Sequence, residues 1–257
     1  MTILNYKKRR IILLKTKPNI LLIISDQLSA KALSVYGNDY SNTPNINRIS
    51  EKGVRFSNCY TSCPLCQPAR ASFWTGYFPH QTGVLSNIQS TPTVPKNIAT
   101  LGSLFRKAGY ETIHFGKQHD CGGLRGFKKE PVKELEVKGK PQWPFNYDTR
   151  RDRYTTTRAV DFLREYNDQK PFLAVADMSN PHNICGWVGE NKDPHTDLSI
   201  PGELPSLPKN FEDENFEELP LPVQYICCTH RRLSQTEGWN KENYRYYLAA
   251  YYHYLER

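Results

Sequence analysis

Two short apolar runs restrict the fold of this chain more than any other feature. Pro18-Asn19 leads into Ile20-Leu21-Leu22-Ile23-Ile24, which ends at Ser25-Asp26-Gln27. Lys170-Pro171 leads into Phe172–Met178, which ends at Ser179-Asn180-Pro181-His182. Continuous runs of this length, rich in β-branched residues, have the character of strands buried on both faces. A third strand is expected over Tyr110–Phe115, followed by Gly116-Lys117-Gln118-His119, and an alternating one over Val54–Tyr60. Helical patterns fall between them. Thr43 caps a helix with Pro44 at its first position, which Gly53 ends. Asn97–Ala108 places Ile98, Leu101, Leu104, Phe105 and Ala108 on one face, with Gly109 as cap. Tyr154–Tyr166 is amphipathic, and Lys241–Arg257 carries a stripe of Tyr244, Leu248, Tyr251 and Leu255 after Asn240 as cap. Strands interleaved with helices read as an α/β fold.

The polar residues after the strands are the candidates for chemistry, because open α/β sheets bind ligands beyond the carboxyl ends of their strands. Asp26 suits a hard cation, although a loop aspartate capping the next helix explains it equally well. Lys117 offers a point charge to an anion, and His119 or His182 can orient or protonate. A hydrogen-bonded loop histidine remains the alternative for His182, and a surface position the alternative for Lys117 and His119. The stretch Cys63–Gly76 reads Cys-Pro-Leu-Cys-Gln-Pro-Ala-Arg-Ala-Ser-Phe-Trp-Thr-Gly. Its Pro68 is tolerated in a first helical turn, which sets Cys66 at or just before a helix N-terminus. Unpaired N–H groups there favour an anion, and Arg70, one turn on, can reach back to an oxyanion. A buried cysteine beside a surface arginine is the bland alternative, since short motifs recur by chance.

Charge and cysteine usage exclude other classes. The net charge is +8, but residues 1–17 hold six basic residues and no acids. Taking those six from the 34 basic residues leaves 28 against 26 acidic ones, a net of +2, so the body shows no nucleic-acid face. Residues 1–17 are therefore set apart as a basic tail from a body of residues 18–257. Cysteines at 59, 63, 66, 121, 185, 227 and 228 are odd in number and irregular in spacing, which is not a disulfide framework. No second C-x-x-C accompanies Cys63–Cys66, so a structural zinc site is not expected, and a redox pair would leave Pro68 and Arg70 unexplained. Ile11–Leu14 is short of the roughly 7–15 apolar residues of a secretory core, and nothing approaches the ~20 of a membrane span. The expectation is a cytoplasmic protein.

Read together, the motifs resemble those of type I sulfatases, within the alkaline-phosphatase-like superfamily. Cys66, Pro68 and Arg70 have the family's C-x-P-x-R spacing, followed by Thr75-Gly76. Pro18-Asn19-Ile20 through Asp26 is similar to the family's opening, with Gln27 in place of a second aspartate. Gly53, Val54, Phe56, Asn58 and Tyr60 match the segment before the nucleophile. Gly109, Tyr110, Thr112, Gly116, Lys117 and His119 match a later one, and Pro181-His182 another, with Ile184 in place of a proline. The resemblance implies a central, mostly parallel sheet flanked by helices on both faces. It implies that Cys66 is oxidised to formylglycine by a maturation enzyme, and that Asp26, Gln27 and the modified residue 66 bind Ca²⁺, with Mg²⁺ or Mn²⁺ as alternatives. It gives Arg70, Lys117, His119 and His182 catalytic roles on a sulfated small molecule or sugar. The family's second metal-ligand pair, a further lysine and a C-terminal subdomain have no counterpart before Arg257, so the expectation is an N-terminal portion, inactive alone. A phosphonate or phosphate diester hydrolase, in which Asp-Gln also occurs, and a noncatalytic anion-binding remnant are the alternatives.

Overall fold

In the computed structural model, residues 17–88, 91–130, 150–190, 203–211, 216–221, 223–224 and 235–256 are described. The basic tail before Lys17, the polar stretch 131–149, Cys227-Cys228 and most of the proline-rich segment 190–237 lie outside these residues. Both apolar runs form strands, β1 (Ile20–Asp26) and β4 (Phe172–Pro181), joined in one sheet by β2 (Glu111–Gly116) and the two-residue β3 (Lys128–Lys129). The order is β1-β4-β2-β3 and every pairing is parallel. Parallel pairing sends all carboxyl ends to one edge, so the residues after β1, β2 and β4 meet there.

Strand β4 lies at the centre, with Phe172 through Asp177 buried, as a run without alternation requires. Its two faces are covered differently. Leu173 and Val175 pack against Trp74 of α2 (Cys66–Thr75), with Leu124 and Phe127. Ala174 and Ala176 pack with Ile113 and Phe115 against Ala159 and Phe162 of α5 (Arg150–Glu165). The fold is thus α/β, with helices on both faces of the sheet. Helix α1 (Pro44–Lys52) begins at its proline, and Gly53 follows its last residue. A one-turn α3 (Pro79–Thr82) follows α2, and Val84 and Val94 bury onto Ala71.

Four expectations need correction. Strand β1 is not buried on both faces: among the described residues it lies at the edge of the sheet, with Leu21 and Ile23 43 and 57% exposed. Residues 54–60 form no strand, and Val54, Phe56 and Tyr60 are 80, 70 and 88% exposed. Alternation alone does not make a strand; a free edge must lie alongside, and these residues pair with none among the described residues. Helix α4 (Leu101–Lys107) starts later than Asn97, because Thr100 takes the cap and accepts from the Ser103 N–H. The last helix, α7 (Lys241–Glu256), buries Ala250, Tyr251 and Tyr254 against Ile184 and Trp187 of α6 (Ile184–Glu190); of the expected stripe Tyr251 is buried and Leu255 packs beside it, whereas Tyr244 and Leu248 are only half-buried. Tyrosines surround α7, so hydropathy does not choose its inner face. The small side chains of Ala249 and Ala250 do, by allowing close approach.

Candidate active site

The carboxyl end of β1 is fixed by contacts from distant parts of the chain. The Asp26 carbonyl accepts the His182 N–H at 3.1 Å, and Ser25 Oγ donates to the Asn180 carbonyl at 2.7 Å, so the β1 and β4 ends are tied together. Asp152 of α5 accepts the N–H groups of Ser179 and Asn180 at 2.6 and 2.8 Å, which shapes the turn that delivers His182. Gln27 has φ +64°, and its carbonyl accepts the Tyr251 hydroxyl of α7 at 2.6 Å. The same hydroxyl accepts the Ser29 N–H at 3.0 Å. A helix more than 200 residues away thereby holds the turn after Asp26 in a conformation that non-glycine residues rarely adopt.

Cys66 is the first residue of α2, after an extended Leu65, and Pro68 and Arg70 are buried in its first turns. The Cys66 sulfur lies 3.9 Å from Asp26 Oδ2. Gln67 N–H donates to Asn87 Oδ1 at 2.9 Å, anchoring the helix start. Arg70 Nη1 and Nη2 clasp both carboxylate oxygens of Asp177, the second contact at 2.9 Å. Nη2 lies 3.8 Å from Asp26 Oδ2, so the guanidinium bridges two acids. His114 Nε2 lies 3.3 Å from Asp177 Oδ2. Sequence reasoning missed Asp177. The available signal was an acid inside an otherwise apolar strand, because a buried carboxylate requires a cation or donors.

Lys117 follows β2 through Gly116, whose φ is +94° and where a Cβ would stand 2.1 Å from the Asp177 carbonyl oxygen. Only glycine fits there. The Lys117 N–H donates to that carbonyl at 2.9 Å, and its ammonium forms an ion pair with the Asp26 carboxylate. Lys117, His119 and His182 line a cavity of about 560 Å³ together with Gln118, Arg151, Thr155, Ser179 and Asn183. The structure therefore brings Asp26, Cys66, Arg70, Lys117 and His182 into one cluster, with His119 on the wall of the adjoining cavity. Gln27 differs: its side-chain oxygen accepts the Cys185 thiol at 3.4 Å.

Burial and charge set the ionisation of the cluster. Burial alone would raise the Asp26 carboxyl, but the Lys117 ammonium, the Arg70 guanidinium and His182 hold it below its usual range. The Cys66 thiol is pushed up by burial and by Asp26, against the pull of Lys117 and Arg70. The shift runs opposite to the lowering that a helix N-terminus alone would give a thiol. Burial and Lys117 depress both His119 and His182. For groups held low, the unfolded chain binds protons first, so stability is complete above the unfolded pKa and falls with pH. The two imidazoles act from about pH 6.5 downward, and Asp26 acts below its ordinary 3.8. Melting temperature should therefore fall between pH 7 and 5, and fall less in a His119→Gln/His182→Gln variant. Equal slopes in calorimetric scans of the two proteins would remove these imidazoles as the source.

A polar cluster at the strand ends of a parallel sheet covered on both faces is where α/β enzymes hold their ligands, and the similar solved structures give the sheet as that of the alkaline-phosphatase-like fold. Residues 18–250 match the family model described as Sulfatase, and the chain belongs to that family. It is 50% identical over 244 residues to a Delta 4,5-hexuronate-2-O-sulfatase of Bacteroides thetaiotaomicron, covering 93% of this chain and 50% of that relative. The solved structure of a 2-O GAG sulfatase superposes with a TM-score of 0.85 at 47% identity, covering 94% of this chain and 52% of that one. A phosphonate monoester hydrolase of Agrobacterium radiobacter shares the fold at TM-score 0.57 and 17% identity, covering 93% and 56%. The chain spans about half the length of the first two. Members of the family generally use formylglycine and a divalent cation. Among the described residues no helix is long and apolar enough to cross a membrane.

Proposed function

We propose that this chain carries the nucleophile-bearing part of a sulfuric ester hydrolase acting on a sulfated sugar, with Cys66 converted to formylglycine by a maturation enzyme. The observation that carries the reading is the position of residue 66: at a helix N-terminus, 3.9 Å from Asp26, with Arg70 one turn away. The raised thiol agrees with it, because a site that keeps its cysteine protonated is not built for thiolate attack. The hydrated aldehyde supplies an oxygen nucleophile with a second hydroxyl for later release of sulfate. Arg70 faces that oxygen and, fixed by Asp177, costs little reorganisation when charge develops. Lys117, His119 and His182 meet the sulfuryl oxygens, and one of the two histidines protonates the leaving oxygen. Burial and the neighbouring Lys117 ammonium hold both imidazoles below the ordinary histidine range in the free site. An arriving sulfate opposes that depression, so the proton is taken up with the substrate.

The donor set fits a divalent metal. Asp26 already draws a cation, the Lys117 ammonium, to its carboxylate. Asp26, the Gln27 amide oxygen and the oxygen at residue 66 would hold Ca²⁺, or Mg²⁺ or Mn²⁺, once Gln27 turns from Cys185. Such an ion would supply Lewis-acid stabilisation of charge on a sulfuryl oxygen. The 50% identical relative points to a sulfate on the 2-position of an unsaturated hexuronate. The phosphonate hydrolase likeness carries the fold alone.

Two measurements test the reading. After co-expression with a formylglycine-generating enzyme, mass spectrometry of the peptide containing residue 66 should show an aldehyde that a hydrazide traps. A chain extended to its relatives' length should then release sulfate from a 2-O-sulfated Δ4,5-hexuronate disaccharide faster than it cleaves a phosphonate ester. An unchanged thiol would reject the modification, and preference for the phosphonate would reject the substrate class. Anion binding without turnover would favour the noncatalytic alternative.

A further inference from the structure

Asp26, Cys66 and His182 bring a carboxylate oxygen, a thiol sulfur and an imidazole nitrogen within 4.8 Å of one another. All three residues are half-buried. Donors around one tetrahedral ion stand roughly 3.3–3.8 Å apart, given bonds of about 2.0–2.3 Å, so small side-chain adjustments close the set. Gln27, the oxygen that a hard cation would take beside Asp26, faces Cys185 instead. One sulfur, one nitrogen and one carboxylate oxygen form the donor set of a borderline-soft ion, not of calcium or magnesium. We propose that the unconverted chain, with Cys66 still a cysteine, binds a zinc-class divalent cation through Cys66 Sγ, His182 and Asp26. On binding, the S–H bond breaks, its proton leaves to solvent, and the sulfur lone pair forms the metal bond, with no change of oxidation state. Water completes the coordination, as in open three-ligand sites.

The ion shares Asp26 and residue 66 with the metal of the proposed reaction and differs from it in donor chemistry. Conversion of Cys66 removes the sulfur and leaves oxygen donors, so one pocket changes its metal preference with the chemistry of one side chain. While the thiolate is coordinated it is also unavailable to oxidants. Lys117 is the built-in competitor, since its ammonium pairs with the Asp26 carboxylate that the ion must take.

The test is titration of the full 257-residue chain, unconverted and reduced with a phosphine, with Co²⁺ as the spectroscopic probe. One equivalent should produce a thiolate-to-cobalt charge-transfer band, which Zn²⁺ then displaces. The band should vanish in Cys66→Ser and persist in Cys63→Ser and in Cys227→Ser/Cys228→Ser. Affinity should weaken about tenfold or more in His182→Gln and in Asp26→Asn, and tighten about tenfold in Lys117→Met. Circular dichroism of each metal-free variant checks that it is folded; if Asp26→Asn is not, His182→Gln and Lys117→Met decide. Absence of a band in the wild type, survival of the band in Cys66→Ser, or its loss in either cysteine control would overturn the assignment. A Lys117→Met variant that binds no tighter than wild type would do the same. The readout needs neither conversion nor turnover, so failure of the proposed reaction and failure of this site are told apart.

Discussion

Replacing Asp177 by alanine is expected to destabilise the chain by about 3–5 kcal/mol, the range for removing one partner of a buried ion pair. Asp177 is fully buried on the central strand and accepts both terminal nitrogens of Arg70, with His114 as a further neighbour. The side chain of Arg70 is itself only 8% exposed, so water cannot readily replace the lost carboxylate. Nor can Asp26, which lies 3.8 Å away and already holds the Lys117 ammonium. Asp177→Asn keeps an oxygen acceptor but loses the charge, and should fall between wild type and alanine. The combined variant Arg70→Met/Asp177→Leu removes both charges into apolar side chains, and should recover most of the loss. Urea denaturation at constant m measures all three. A loss under about 1 kcal/mol for Asp177→Ala would mean that the guanidinium finds another partner, and the account of how Arg70 is aimed would fail.

The parts of the site legible in the sequence were those coded locally. Ile20–Ile24 and Phe172–Met178 announced strands by composition alone, but only the second is buried on both faces, because β1 ends the sheet order and nothing in an apolar run tells an edge from a centre. The polar residues after them had to gather at one edge once the sheet was parallel. Pro68 announced a helix start, and with it the placement of Cys66. The parts that escaped were set by contacts across long stretches of chain. Asp177 and Arg70 are 107 positions apart, and neither position names the other. Tyr251 holds the Gln27 carbonyl from 224 positions away; the helical stripe pointed to Tyr251 as an inward residue but not to the bond it makes. Val54–Tyr60 failed for the reverse reason. Its alternation was real, but a strand also needs an open neighbour, and that lies in topology. Gly116 stood between, because a glycine before Lys117 was visible but not the carbonyl that excludes any Cβ there.

Cys66→Ser should convert a catalyst into a reagent that reacts once. In a chain extended to its relatives' length, serine places a single hydroxyl where the proposed nucleophile carries two. Its oxygen remains near Asp26 and under Arg70, so attack on sulfur is still open: the serine O–S bond forms, the bond to the sugar oxygen breaks, and a histidine returns the proton to that oxygen. The product is a serine sulfate. A second hydroxyl on the same carbon could expel sulfate by collapse to an aldehyde, but serine has none, and release then waits for water to attack sulfur in a site arranged for the first transfer. Steady-state turnover should therefore fall on the order of 10⁶-fold, the scale for losing a covalent nucleophile. One equivalent of desulfated sugar per chain should still appear, and mass spectrometry should find the sulfate on the peptide containing residue 66. Cys66→Ala, with no hydroxyl, should give neither burst nor adduct. Sustained turnover by the serine variant would show that the second hydroxyl is dispensable, and with it the chemical reason for modifying Cys66.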